Sequence, residues 1–516
     1  MPRWFNVAGP CNPDIHYMLS PLTRIPAVWP LIEQQGYFVI HAPRQTGKTT
    51  AMIALARALT AAGRFAAVLL SAEVGAAFNN DPGAAELAIL NSWQRAAAFF
   101  LPAELRPPPW PSAEPGTRLA AALDAWAQAS PRPLVIFIDE IDALQNEALV
   151  AVLRQLREGY FRRPEFFPWS LALIGLRDVR DYKVASGGSE RLHTASPFNI
   201  KTDSLTLENF TLRDVAALYQ QHTDDTDQVF TPAATALVFE LTQGQPWLVN
   251  ALGRQAVEIL VPDRTQPITP ETIEQAKEIL IERQDTHLDS LAERLREPRV
   301  RRIIEPMIAG QTLGDVPEDD RRFLLDLGLV RRDPAGRLTI ANPIYREVIP
   351  RVLTQGTQDT LPGIAPIWLR LDGTLEPALL LEAFLAFWRE HGQALLKSAP
   401  YHEVAPHLVL MAFLHRVVNG GGSLQREYAV GMGRLDILLR YGQVRLAIEL
   451  KTWRDEEPDP LTKGLSQLDA YLAGLSLDTG WLVIFDQRAN QPRIAERTTT
   501  TEAMTPAGRS VIVIRA

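Results

Sequence analysis

The sequence holds a single cysteine, Cys11. One thiol can neither close a disulfide within the chain nor build a cysteine-cluster zinc site, so the fold rests on neither staple. Long apolar runs are also missing, and none approaches the ~20 residues needed to cross a bilayer. The first thirteen residues lack the basic-then-apolar pattern of a signal peptide, so the expected location is a reducing, cytoplasmic compartment. Positive charge is not in excess either. Sixty acidic residues against 52 basic ones give a net charge of −8. That argues against coating nucleic acid through overall charge and leaves any DNA contact to local basic patches. There is no internal repeat and no low-complexity tract.

What is present is ordinary for a well-cored protein: 46% hydrophobic and 22% charged residues over 516 positions. That length has room for about three domains at ~100–200 residues each. From Tyr37 to about Leu207, apolar runs (Tyr37–His41, Ala66–Leu70, Leu134–Ile138, Leu171–Leu176) alternate with helical stretches. Short runs bounded by polar turns suit buried parallel strands, so an α/β core is expected over 1–207. Leu101–Gly116, with six prolines, reads as a loop. Helices are expected over 208–285. A helical unit then ends in a hairpin, with strand candidates Leu329–Arg332 and Arg337–Ile340 joined at Asp333-Pro-Ala-Gly336. A polar linker, 354–366, leads to a second α/β region, 367–516. This opens with helices Pro377–Leu396 and Val404–Val418 and continues through a hairpin, a helix and strands Trp481–Phe485 and Val511–Ile514.

The strand Tyr37–His41 runs into Ala42-Pro43-Arg44-Gln45-Thr46-Gly47-Lys48-Thr49, and an apolar helix begins at Thr50. Strand, loop and helix form the context in which GxxxxGK[ST] is a phosphate-binding loop. Its N–H groups and the helix N-terminus cradle phosphates. Lys48 reaches the β- and γ-phosphates of ATP, and the Thr49 hydroxyl holds Mg²⁺. Ala42 stands where the pattern has glycine. About ninety residues on, Leu134-Val-Ile-Phe-Ile138 ends in Asp139-Glu140. Asp139 is placed to hold Mg²⁺ through water, and Glu140 to orient or deprotonate the attacking water. Arg177, after the strand Leu171–Leu176, is placed either to sense the γ-phosphate or to make a structural ion pair.

With these motifs, and with Ile174-Gly-Leu-Arg-Asp-Val-Arg-Asp-Tyr182 and Gly244-Gln-Pro-Trp-Leu-Val-Asn250, residues 1 to about 283 resemble the AAA-like/STAND ATPases. The resemblance implies an ATPase core, a helical lid over 208–285 and a winged helix over 286–353. It also places Pro246 over the adenine or its phosphates. Arg162 and Arg163 are candidates for an arginine finger, which would come with a self-oligomer. In the winged unit Arg331, Arg332 and Arg337, with Arg321 and Arg322 upstream, either contact phosphates or are cancelled by Glu318, Asp319, Asp320, Asp326 and Asp333.

In the C-terminal region Gly433-Arg-Leu-Asp-Ile-Leu-Leu439 and Val444-Arg-Leu-Ala-Ile-Glu-Leu-Lys451 flank Gly442-Gln443. A turn centred there pairs Leu439 with Leu446, Ile437 with Ile448 and Asp436 with Glu449. One face is then apolar, and Asp436, Glu449 and Lys451 fall on the other. Carboxylates facing each other repel, and a shared divalent cation, Mg²⁺ or Mn²⁺, removes the repulsion. Lys451 is poised to hold the attacking water or the developing charge. This set resembles the PD-(D/E)XK nucleases over about 376–486. The downstream Lys463, Gln467 and Tyr471 are similar to the Gln-x-x-x-Tyr feature of RecB-related branches. Such nucleases also carry a helical Glu, for which Glu403 is the first choice and Glu382 its rival.

The expectation is therefore a multidomain α/β chain in which an ATPase controls a metal-dependent nuclease acting on DNA, with defence against foreign DNA as an analogy. The alternatives are a signalling switch that binds nucleic acid without cutting it, and a DNA-translocating motor.

Overall fold

The computed structural model describes residues 3–176, 200–283, 294–308, 313–349, 352, 366–398, 405–418, 422–430 and 433–516, with backbone alone at 282, 397–398, 425–430 and 433–435. The chain divides into two compact units: 1–283 with 317–343, and 284–316 with 344–516.

The first unit is built on five parallel strands: β1 (Tyr37–His41), β2 (Ala66–Ser71), β3 (Leu134–Asp139), β4 (Ser170–Gly175) and β5 (Asp203–Thr206). Their order is β2-β3-β4-β1-β5. Alternation sorts the side chains. Tyr37, Val39, Val68, Leu70, Ile136, Ile138, Leu171 and Leu173 join one core with Trp93 and Trp126. Phe38, Ile40, Ala67, Leu69, Val135, Phe137, Ala172 and Ile174 join another with Ile32, Met52 and Leu55. Both faces are thus buried, which is why the strands read as continuous apolar runs. The loops after β1 and β3 emerge together at the carboxyl edge, beside the end of β4, where doubly wound sheets bind ligands.

The edge strand β5 has no such run. Asp203-Ser-Leu-Thr206 is half exposed and pairs only with β1, so its sequence carries no apolar signal. The proline-rich stretch is a loop that packs firmly: Leu105 is buried, and Trp110 Nε1 donates to Leu90 O at 3.1 Å. Four helices follow over the stretch expected to form a lid, Leu212–Thr226, Pro232–Thr242, Pro246–Arg254 and Pro270–Arg283. The first is closed by a capping box between Thr211 and Asp214. The 286–353 stretch is shared between the two units. Its helix Glu318–Asp326 and the hairpin β6 (Val330–Arg332)–β7 (Leu338–Ile340) belong to the first.

The second unit holds a six-stranded mixed sheet, order β12-β13-β11-β10-β9-β8. The strands are β8 (Gly422–Val430), β9 (Gly433–Tyr441), β10 (Val444–Trp453), β11 (Gly480–Asp486), β12 (Thr499–Met504) and β13 (Ser510–Arg515). The edge strands β8 and β12 are additions to the sequence reading. The helices Pro377–Ser398 and Ala405–Val418 cover one face through Trp388 and Phe413, packed on Ile437, Leu439, Leu446, Ile448 and Leu450. Leu461–Leu475 covers the other, where Leu468 and Leu472 meet Leu438, Ala447, Leu482 and Ile484. Gly464 permits this close approach, since a Cβ there would lie 2.6 Å from Leu482 Cδ1. No described helix is long and apolar enough to cross a membrane.

Candidate functional site

At the carboxyl edge of the first sheet, β1 turns through Ala42–Gly47 into the helix Lys48–Ala61. Gln45 (φ 59°) and Gly47 (φ 91°) adopt left-handed conformations, whereas Ala42 does not. Ala42 is fully buried and donates its N–H to Gly175 O at 3.3 Å. The missing first glycine therefore costs no backbone strain. Among the described residues the N–H groups of Arg44 to Gly47 have no acceptor, and Gly47 leaves the helix without a side-chain cap. Unspent donors curled around a helix N-terminus suit a phosphate chain.

The side chains around this cradle hold one another. Lys48 Nζ donates to Ala42 O (2.8 Å) and Pro43 O (2.9 Å). Thr49 Oγ1 donates to Asp139 Oδ2 at 2.7 Å, and Glu140 N to Asp139 Oδ1 at 3.0 Å. A hydroxyl and a carboxylate in contact are the donor set a phosphate-bound Mg²⁺ takes, so the residues fit the ion. Burial lowers the Lys48 ammonium against the pull of Asp139. It also raises the Asp139 and Glu140 carboxyls, the latter helped by Asp142 and Asp139. Glu140 is held in the left-handed region at φ 53°, aimed by the strained turn after β3. A raised carboxyl beside the phosphate cradle is suited to take a proton.

These residues open on a cavity of about 470 Å³ whose wall includes Arg44 to Thr50, Glu140, Asp142, Pro246 and Trp247. Pro246 lines the cavity, at the start of a helix capped by Gln245, which accepts from Leu248 N at 2.6 Å. Sequence reasoning missed other parts of the wall, among them Arg24, Phe210, Asn6 to Cys11 and Tyr17 to Leu19. This N-terminal strap is tied down by Trp247 Nε1 donating to Val7 O (2.9 Å) and by Cys11 N donating to Thr50 Oγ1 (3.0 Å). It has neither periodicity nor motif, and its buried Phe5 and Tyr17 were the only signal. Arg177 lies outside the described residues. Arg162 pairs with Asp124 and Glu158, and Arg163 bonds Gln35 O and Tyr160 O while stacking on Tyr160. Both are engaged inside their own unit.

No family model and no curated protein matches the chain. Solved structures do. A Walker-type ATPase of Pyrococcus abyssi is 12% identical, with 67% of this chain and 99% of that one covered at a TM-score of 0.47. The RuvB Holliday junction branch migration motor of Thermotoga maritima is 15% identical, with 63% and 92% covered at 0.34. Cdc6p from Pyrobaculum aerophilum is 13% identical, with 64% and 92% covered at 0.35. Likeness at this level carries no argument. The loop after β1, its lysine and threonine, and the Asp-Glu after β3 form a cradle whose geometry suits a phosphate chain and Mg²⁺.

In the second unit β9 and β10 pair in the expected register: Val444 with Tyr441, Leu446 with Leu439, Ile448 with Ile437. The ladder ends at that pair, and just beyond it Asp436 acts electrostatically on Glu449. Asp436 Oδ2 accepts from Leu450 N at 2.8 Å, and Lys451 Nζ donates to Glu449 Oε1 at 2.6 Å and to Leu450 O at 3.2 Å. Glu449 is 2% exposed. Its other oxygen, Oε2, is buried without a partner. Burial first, then Asp436, pushes its carboxyl up to about 7 against the pull of Lys451.

The face carrying these groups was expected to be polar. It is instead a second apolar face, because Leu438 and Ala447 alternate with the charges and the helix Leu461–Leu475 lies over them. From that helix Tyr471 is buried, its hydroxyl raised by burial and then by Glu449 and Asp436. Gln467 Oε1 is buried without a partner, and Lys463 is exposed. Glu403 lies outside the described residues, and Glu382 is exposed. An orphaned carboxylate oxygen beside a second carboxylate fits a divalent cation in donor chemistry, although no cluster of three metal-binding side chains occurs among the described residues.

The hairpin arginines are occupied. Arg337 pairs with Asp333 at 2.9 Å, Arg332 with Glu318 at 3.9 Å, and Arg331 Nε donates to Ala341 O at 3.1 Å. The helix end before the hairpin presses on the phosphate loop, since a Cβ on Gly328 would lie 2.6 Å from Pro43 Cγ.

Proposed function

We propose that the chain is an ATP-hydrolysing switch of the AAA-like/STAND kind, coupled to a metal-dependent nuclease of the PD-(D/E)XK type that acts on DNA. In the first unit Lys48 and the loop N–H groups hold the phosphates. Thr49 and Asp139 hold Mg²⁺, which offsets the phosphate charge when bound. Glu140 orients water toward the γ-phosphate and accepts its proton.

The nuclease half is supported by one observation above the rest. Asp436 and Glu449 meet on adjacent strands with Lys451 bonded to Glu449, and Glu449 keeps an unpartnered buried oxygen. These carboxylates, with Leu450 O beside them, would hold the divalent ion, whose role is to activate water and polarise the phosphodiester. Lys451 offsets charge on the phosphate oxygens, and Tyr471 and Gln467 close the site from the covering helix.

A specific observation favours a second reading, nucleic-acid binding without cleavage. Glu449 is 2% exposed and ion-paired with Lys451, as a retired active site would be. Incubating the purified chain with supercoiled, linear and single-stranded DNA, in Mg²⁺ or Mn²⁺ and with or without ATP, decides between them. Metal-dependent cleavage supports the nuclease. DNA binding with no cleavage under any condition leaves the non-cutting switch.

A further inference from the structure

Arg24 carries an unusual charge in the wall of the nucleotide cavity. It ends the short turn Pro21–Arg24. One guanidinium nitrogen donates to Thr46 O at 3.0 Å, the other to Glu208 O. The group also lies over the Phe210 ring, 4.8 Å from its centroid. Among the described residues no carboxylate pairs with it, and its Nε is buried without a partner. Burial brings the guanidinium down to about 10, and only Asp214 at longer range opposes this. A cation that surrenders water for two main-chain carbonyls and a ring is costly to keep in place. What those partners belong to gives the arrangement its use.

Thr46 is part of the phosphate loop. Glu208 and Phe210 are the root of the lid, immediately before the capping residue Thr211. Phe210 N donates to Gly244 O at 2.8 Å. Gly244 sits at φ +72°, where an added Cβ would fall 1.8 Å from Phe210 O. Gly244 in turn leads through Gln245 into Pro246 and Trp247, which face the cavity. An unbroken line of contacts therefore runs from the phosphate loop through Arg24 and Phe210 to the lid wall.

We propose that Arg24 is a positioning residue that fastens the phosphate loop to the root of the lid, so that a nucleotide held by the loop also tightens the Gly244–Trp247 wall. This rests on the nucleotide-site reading above. Thr46 cannot shift to receive a phosphate without moving the guanidinium, and the guanidinium cannot move without releasing Glu208 or Phe210. Coupling between two such segments is reciprocal and typically 5- to 150-fold. Here it joins the grip on phosphate to closure of the lid.

Hydrogen exchange of the full chain, with and without saturating ATP and Mg²⁺, tests this. In the wild type, ATP should slow exchange over both 44–50 and 244–250. Arg24→Met keeps the side-chain stem and removes the charge. It should bind ATP about tenfold more weakly, yet once saturated show slowing over 44–50 only. Arg24→Lys should restore part of the effect at 244–250, which a purely structural role would not. If Arg24→Met unfolds, Arg24→Lys and Arg24→Gln carry the comparison, with the Lys variant closer to wild type. Full slowing over 244–250 in ATP-saturated Arg24→Met would overturn the coupling. So would a wild type that binds ATP with no slowing over 244–250. A wild type that binds no ATP at all would remove the nucleotide site itself, and the role of Arg24 with it.

Discussion

The two chemical centres of this chain are made from similar parts and differ in access. Each sets carboxylates on or just after a buried strand near a lysine, Asp139 and Glu140 by Lys48, and Asp436 and Glu449 by Lys451, and in each burial raises a carboxyl. The phosphate loop, however, opens on a cavity of about 470 Å³. Glu449 is 2% exposed beneath the helix Leu461–Leu475. The first centre is ready for a ligand. The second needs displacement of the Lys451–Glu449 pair, and the covering helix must allow a phosphodiester to approach. An accessible site advertises its ligand through unspent donors, whereas a closed one does so through an orphaned oxygen.

The largest expected effect is at the open centre. Lys48→Ala removes the cation facing the phosphates and should lower ATP turnover by about 100-fold or more, with weakened binding in a nucleotide titration. Glu140→Gln should stop turnover to a similar extent while leaving ATP affinity within a few-fold, because it alters only the group that receives the proton. Normal hydrolysis by Glu140→Gln would move the base elsewhere.

A smaller effect distinguishes the closed centre. With its carboxyl raised to about 7, Glu449 folds more favourably when protonated. Its contribution is complete below the ordinary carboxylate range and is lost as the pH rises through about 7. Glu449→Gln cannot ionise. In metal-free buffer its melting temperature should gain on the wild type between about pH 4.5 and 7, by on the order of a few degrees, and hold that gain above. A difference independent of pH would place the proton elsewhere. Mg²⁺ should oppose the trend in the wild type alone, since a cation stabilises the ionised form.

Strand patterning placed the residues of both candidate centres: Asp139 and Glu140 come at the end of the buried strand β3, whereas Asp436 and Glu449 lie within β9 and β10. The Gly442-Gln443 turn set the β9–β10 register, and the apolar run Leu134–Ile138 delivered Asp139 and Glu140 to the carboxyl edge. What could not be read has equally physical causes. β5 and β12 are edge strands with polar faces, so no apolar run marks them. The strap Asn6–Cys11 takes its place from contacts with Thr50, 39 positions from Cys11, and with Trp247, 240 positions from Val7. The apolar character of the second face of β9 and β10 was visible in Leu438 and Ala447, but the charges that alternate with them drew the eye.

The smallest effect is expected at the hairpin. Because Arg332 and Arg337 already face Glu318 and Asp333, replacing Arg331, Arg332 and Arg337 by Glu should change the salt slope of DNA binding by about one or less. A fall of three would mean that all of them reach phosphates.

The most direct test of two separable centres is cleavage of plasmid DNA in Mg²⁺ by wild type, Asp436→Ala and Lys451→Ala, with ATP binding measured on the same preparations. Wild type should cut. Both variants should fall to background while binding ATP as the wild type does, because Lys48, Thr49 and Asp139 are untouched. Cleavage by purified Asp436→Ala at the wild-type rate would contradict the assignment.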